Sequence, residues 1–216
     1  MKEITVSELE VSSGQPPLEE ISVKLDRQPK HRIDILNWKD YQYKPDVSFS
    51  MAYSSREIFL KYYVKESLIM AEKTETNQMV CEDSCVEFFV SPANDGIYYN
   101  LEFNPIGTCL LGTGTSRETS KRADPAVVAG IRRLASSGTE PFSEREGEFD
   151  WTLTLAIPFE VFFHHNIDGL KGKTFRANFY KCGDNLTVPH YVTWSPVGTA
   201  NPDYHQPAFF GTIRFV

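Results

Sequence analysis

The chain has 216 residues, 41% hydrophobic and 24% charged, ordinary globular values that exclude a disordered chain, a collagen and a coiled coil. With 22 basic against 29 acidic residues the net charge is −7, without the basic surplus of a nucleic-acid binder, and no apolar run is long enough for a membrane-spanning helix. Aromatics reach 13%; they suit pleated sheets and give apolar platforms for sugar rings.

Residues 1–30 read as a lead-in that packs on the domain, with a loop-like run Ser12-Ser13-Gly14-Gln15-Pro16-Pro17. Glu3 and Glu8 interrupt any apolar stretch of a secretory signal. The expected compartment is therefore cytoplasmic, or periplasmic or extracellular if a signal has been removed. Strands are expected at Val47 to Tyr53 and Glu57 to Val64, where Ile58, Leu60, Tyr62 and Val64 share a face. Cys85 to Val90 and Ile97 to Asn104 follow, joined by a hairpin loop through Asn94-Asp95-Gly96. Further strands are expected at Thr108 to Gly112, Val127 to Leu134 and Phe149 to Ile157. Pro158 opens a helical turn to Phe163, and Phe175 to Tyr180 and Phe209 to Phe215 read as the last strands. Short strands with turn signals between them imply an all-β fold, one antiparallel β-sandwich over residues 31–216 with a few short helical turns.

Three of these strands have ordered polar faces. Tyr98, Asn100, Glu102 and Asn104 share one, Arg176, Asn178 and Tyr180 another, and Glu87 lies opposite Val86 and Phe88. Such a surface is either a solvated outer sheet face or a set of carboxylates, amides and Arg suited to sugar hydroxyls.

The run Asp83-Ser84-Cys85-Val86-Glu87-Phe88-Phe89-Val90, followed by Tyr98-Tyr99-Asn100-Leu101-Glu102-Phe103-Asn104-Pro105, resembles family 9 carbohydrate-binding modules. So do Phe149-Asp150-Trp151, Asn178-Phe179-Tyr180, Trp194-Ser195-Pro196 and the ending Tyr204-His205-Gln206-Pro207-Ala208-Phe209-Phe210-Gly211, in the same order. The resemblance is to the bacterial, endoxylanase-associated branch. It implies a jelly-roll-like sandwich, binding of sugar chain ends from cellulose or xylan, and a role in polysaccharide catabolism. It also implies two tryptophans clamping a sugar ring, and supporting calcium. Cys81 stands at the first tryptophan position and Tyr204 or His205 at the second, so one aromatic wall is lost and the other changed.

On this basis the expected site comprises Glu87, Asn100, Glu102, Arg176 and Asn178 as polar contacts, with Tyr204, and Trp194 or His205, as the wall. The expected ligand is a xylan- or glucan-derived oligosaccharide. No cofactor is required, calcium is admitted with Asn94-Asp95-Gly96 and Asp203 as candidates, and neither nucleic acid nor membrane is a partner. Two other readings stand beside it. Glu87 and Glu102 invite a glycosidase, whose carboxyl groups would lie about 5–5.5 Å apart if retaining and about 6.5–9.5 Å if inverting. The lost tryptophan invites a sandwich that has given up sugar and serves as an interaction domain. Cys81, Cys85, Cys109 and Cys182 read as free thiols; C-x3-C with no second Cys/His pair is no zinc motif. Adjacent His164 and His165 do not share a helix face, so they make a poor metal pair. Trp151 reads as core and Trp38 as a cap over the sandwich end.

Overall fold

The period-two patterning resolves into two packed sheets in the computed structural model, which describes residues 1–12, 14–93 and 95–216. Ser13 and Asn94, parts of two expected loops, lie outside the described residues. In chain order the elements are β1 (Glu3–Val6), α1 (Leu18–Leu25), β2 (His31–Ile33), β3 (Ile35–Leu36), β4 (Asp46–Tyr53), β5 (Glu57–Ala71), β6 (Cys85–Ser91) and β7 (Tyr98–Phe103). There follow β8 (Cys109–Gly114), β9 (Lys121–Arg122), α2 (Pro125–Ala129), β10 (Arg132–Ala135), β11 (Phe142–Pro158), β12 (Thr174–Cys182), β13 (Tyr191–Thr193) and β14 (Gly211–Phe215). The larger sheet runs β1-β14-β12-β6-β7-β8-β9, with β13 and β3 added beside β12; the smaller runs β10-β11-β5-β4-β2. The fold is a β-sandwich. Its strand pairs are antiparallel except β1 with β14, which is parallel.

Alternating apolar residues of both sheets meet in one core. Phe49 of β4 stacks on Phe179 of β12 at 3.7 Å, and Phe88 of β6 stacks on the same ring at 5.0 Å. Burying each such side chain contributes about 1.5–3 kcal/mol. Trp151 belongs to this core, as expected from its alternation with Leu153 and Leu155.

Two expectations change. Val127 to Leu134 is not one strand: Asp124 accepts from the Ala126 amide at 2.8 Å and Pro125 opens α2, so the chain turns before β10 begins at Arg132. β5 and β11 run well beyond their alternating segments, because register shifts between Phe142/Arg145 and Glu146/Phe149 break the period while the pairing continues. The lead-in is structured. Its β1 extends the larger sheet, and Ile21 and Leu25 of α1 pack on Phe59 and Ala156 of the smaller one.

The outer face of the larger sheet is covered rather than solvated. Trp38, Val197, Tyr204 and Phe210, from segments crossing this face, bury Cys85, Phe89, Tyr98, Tyr180 and Cys182 in a second cluster. The polar positions on the same face are buried with them: Glu87 is 2% exposed, Glu102 6%, and Asn100 and Asn178 0%.

A buried ion pair ties the two sheets together at one end. Lys181 Nζ of β12 lies 2.9 Å from Glu66 Oε2 of β5, with both side chains wholly buried. Trp151 Nε1 donates to Glu66 Oε1 at 2.7 Å, and Lys181 also donates to the Cys182 carbonyl at 2.9 Å and lies 2.9 Å from His190 Nε2. Burial and the Lys181 charge push His190 well below its ordinary pKa, leaving a neutral ring that accepts from the ammonium. Removing one partner of such a pair strands the other charge. Lys181→Met is expected to lower unfolding free energy by about 3–5 kcal/mol in urea denaturation. The double change Lys181→Met, Glu66→Gln should recover at least half of that loss, and equal stability of the single variant and the parent would contradict it.

Candidate functional site

A pocket of about 500 Å³ opens between β6, β7, the end of β12 and the covering segment around Tyr204. That is within the ordinary range for small-molecule sites. Its floor is made by sheet register. Glu87 of β6 is the direct partner of Glu102 on β7 and of Tyr180 on β12, so the two carboxyl groups leave the sheet side by side on one face. Asn100 Nδ2 donates to Glu102 Oε1 at 2.8 Å from the next outward position on β7. This needs glycine opposite: a Cβ on Gly112, the β8 partner of Asn100, would stand 2.5 Å from Asn100 Oδ1. The Cys182 thiol donates to Glu87 Oε1 at 3.0 Å.

The rim comes from loops. Arg117, between β8 and β9, pairs with Asp203 at 2.9 Å and so joins two sides of the mouth. Burial acts to raise the Asp203 pKa, but the Gln206 amide and the Arg117 guanidinium outweigh it and hold the carboxylate below its usual value. Asp184, just after β12, is shifted upward by burial. His205 contacts the Tyr98 hydroxyl through Nδ1 at 2.7 Å; burial, helped by the Arg117 charge, lowers its pKa to about 4 and keeps the ring neutral.

Of the residues expected from sequence, Glu87, Glu102, Tyr204 and His205 line this pocket, and Cys81 lines it too. Asn100 stands behind Glu102 as its donor. Three others are placed elsewhere. Trp194 lies in the core between the sheets, edge-on to Phe49 and Phe179, because its strand-end position points inward. Arg176 donates to the carbonyls of Gly211 and Phe210 at the far end of β12. Asn178 lies on the outer face, but its amide donates to the Ser195 carbonyl at 3.0 Å and accepts the Ser195 amide at 2.8 Å, anchoring the covering segment. Tyr204 is no free stacking wall either. One face lies on Tyr180 at 3.9 Å and 5°, and Trp38 packs at 6.1 Å. The pocket's other aromatic side chains are Phe89, Tyr191 and His205. Sequence reasoning missed Arg117 and Asp184, which stand in turns with no periodic signal.

Calcium finds little at its expected loops. Asp203 has both oxygens engaged, by Arg117 and by Gln206. Asp95 accepts from the Ile97 amide at 3.0 Å and faces His165 at 3.3 Å, and Asn94 lies outside the described residues. Calcium takes six to eight oxygen ligands. Neither aspartate joins a group of three His, Cys, Asp or Glu ligands among the described residues.

The buried carboxyl pair sets a pH dependence. Burial raises Glu102 from 4.5 to about 7 although Asn100 opposes it, and burial together with the neighbouring Glu102 raises Glu87 well above 4.5. The two titrate as a pair. Folding therefore takes up protons in this window, and the stability linked to Glu102 is full below about pH 4.5 and lost as pH rises through about 7. His205 acts in the opposite sense, so the test compares variant with parent at each pH. Glu102→Gln, neutral throughout and still able to accept from Asn100, is expected to raise Tm over the parent by several degrees at pH 8 and by much less at pH 5. An equal difference at both pH values would contradict the shift.

Residues 19–215 match the family model for carbohydrate-binding family 9. A crystal structure at 2.70 Å of a candidate carbohydrate-binding protein from Bacteroides uniformis is 44% identical, with a TM-score of 0.96, over 100% of this chain and 99% of that one. A family 9 module from Caldicellulosiruptor kristjanssonii, solved with glucose, shares the fold at a TM-score of 0.62 and 11% identity, over 100% of this chain and 96% of that one. A family 9 module from the same organism, solved with cellotriose, also gives 0.62 and 11%, over 99% and 93%. No curated protein gives a significant match. The model spans nearly the whole chain, and the chain belongs to carbohydrate-binding family 9.

Proposed function

We propose that this carbohydrate-binding domain takes the end of a glucan- or xylan-derived chain in the pocket above Glu87 and Glu102. The observation that carries the reading is the concave cavity of about 500 Å³, which brings carboxyl groups, an Arg–Asp pair and a neutral imidazole around aromatic and apolar side chains. A sugar ring presents hydroxyls around its edge and apolar C–H faces above and below. Carboxyls and guanidinium match the hydroxyls, and Phe89, Tyr191 and His205 supply apolar contact. A pocket suits a terminal unit, whereas an internal unit of a chain needs a groove open at two sides. The likeness to family 9 modules solved with glucose and with cellotriose agrees with a β-glucan end. A role beside xylan-degrading enzymes, in polysaccharide catabolism, belongs to the same proposal. No helix among the described residues is long and apolar enough to cross a membrane.

Hydrolysis is not favoured. A glycosidase places its carboxyl groups on either side of the scissile bond. Glu87 and Glu102 are cross-strand neighbours on one sheet face, and both approach a ligand from below.

Isothermal titration calorimetry against cello-, xylo- and manno-oligosaccharides is expected to give saturable binding with one class. Arg117→Ala should weaken it by about 10- to 100-fold, the worth of a charged hydrogen bond. Arg117 is on the surface, so melting temperature should hold. Absence of heat across the panel would overturn the sugar reading. Unchanged affinity in both Arg117→Ala and His205→Ala would move the ligand out of this pocket.

A further inference from the structure

Beside Glu87 the pocket floor holds two thiols that sugar recognition does not account for. Cys85 and Glu87 occupy alternate outward positions on β6, and Cys182 of β12 is the register partner of Cys85. One ligand atom from each of Cys85, Glu87 and Cys182 lies within 4.8 Å of the other two. All three residues are buried, and Glu87 and Cys182 also line the pocket. Glu87 is a buried carboxyl whose bonding partner is the Cys182 thiol, a weak donor that compensates little negative charge. We propose that Cys85, Cys182 and Glu87 bind a thiophilic divalent ion, zinc, with the fourth coordination position open to the pocket.

The chemistry of the donors selects the ion. Two sulfurs and one carboxylate are too soft for calcium or magnesium, and the carboxylate disfavours copper(I); zinc accepts both types. Zinc sits about 2.3 Å from sulfur and about 2.0–2.2 Å from a carboxylate oxygen, so tetrahedral ligand atoms stand roughly 3.5–3.8 Å apart. Donors within 4.8 Å of one another stand close to that spacing. Three protein ligands with a fourth position facing a cavity is the arrangement of an open zinc site.

Binding moves protons and no electrons. Burial pushes Cys85 up to about 12 and raises Cys182 well above its ordinary value, so without the ion both thiols are protonated; burial raises Glu87 too. The ion replaces the two S–H protons, which leave to solvent, and the Glu87 carboxylate binds it as an anion. Affinity should therefore rise steeply with pH, by about a hundredfold per unit where two protons are displaced.

The test uses the whole chain, reduced, loaded with zinc or cobalt(II), and freed of excess ion by gel filtration. The expected result is one ion per chain by mass spectrometry of the metal. The cobalt form should show thiolate-to-cobalt charge transfer and the visible bands of tetrahedral cobalt. Cys85→Ser and Glu87→Gln should each weaken binding by more than about a hundredfold, since even residues behind the ligands cost 10–100-fold when removed. Cys109→Ala, a thiol of the inter-sheet core, should retain the ion. A folded parent lacking the cobalt–thiolate band would overturn the proposal, as would equal retention by Cys85→Ser. A reduced chain that reoxidises to a Cys85–Cys182 disulfide and takes no ion would overturn it too. The parent spectrum decides the matter if a variant does not fold, and none of these readouts depends on sugar binding.

Discussion

The constraint on which the molecule depends is the register of β6 between β7 and β12. Glu87 faces Glu102 on one side and Tyr180 on the other, while Cys85 faces Cys182. A slip of one residue against either neighbour would turn Val86, Phe88 and Val90 outward and bring the carboxyl into the inter-sheet core. The stacking of Phe88 and Phe49 on Phe179 opposes such a slip from the core side. The hydrophobic core thus fixes the position of the polar groups on the opposite face.

That opposite face becomes a site because segments of the chain cross over it. The Asn178 amide holds Ser195 at both its carbonyl and its N–H, and Trp38 donates to the Thr199 carbonyl at 2.9 Å. The Tyr204 ring lies on Tyr180 and its hydroxyl donates to the Lys181 carbonyl at 3.0 Å. Covering the face takes Glu87 and Glu102 out of water, and withdrawal from water raises both pKa values. The pocket is the gap that these segments leave. Asn178 anchors the cover from behind, Tyr204 packs on Tyr180 while also lining the pocket, and Trp194 lies in the core between the sheets.

Legibility in the sequence followed the range of the interaction. β4, β6, β7 and β12 show clean alternation, so their faces were readable, and with them the pairing of Glu87 and Glu102 on one surface. Alternation cannot say whether an outer face is wet or covered, because that depends on chain brought in from residues 37–43 and 194–210. For this reason Asn178 reads as a ligand contact when it anchors the cover, Tyr204 reads as a free wall when one face of its ring lies on Tyr180, and Arg176 reads as part of the site when it braces the β12–β14 end. Arg117 and Asp184 were invisible for the same cause: each sits in a turn, and only the folded chain brings it to the mouth. α2 was missed because the apolar run Val127-Val128 resembles a strand unless the Asp124-Pro125 start is weighed more heavily. The extra length of β5 and β11 was hidden by the irregular pairing near Glu146.

The most direct measurement is a crystal structure of the chain with cellotriose. The account predicts the terminal sugar ring inside the pocket, its hydroxyls within hydrogen-bond distance of Glu102 and Arg117 and its apolar face against Phe89, Tyr191 or His205. Density for the trisaccharide on any other surface, with the pocket filled by water alone, would contradict it.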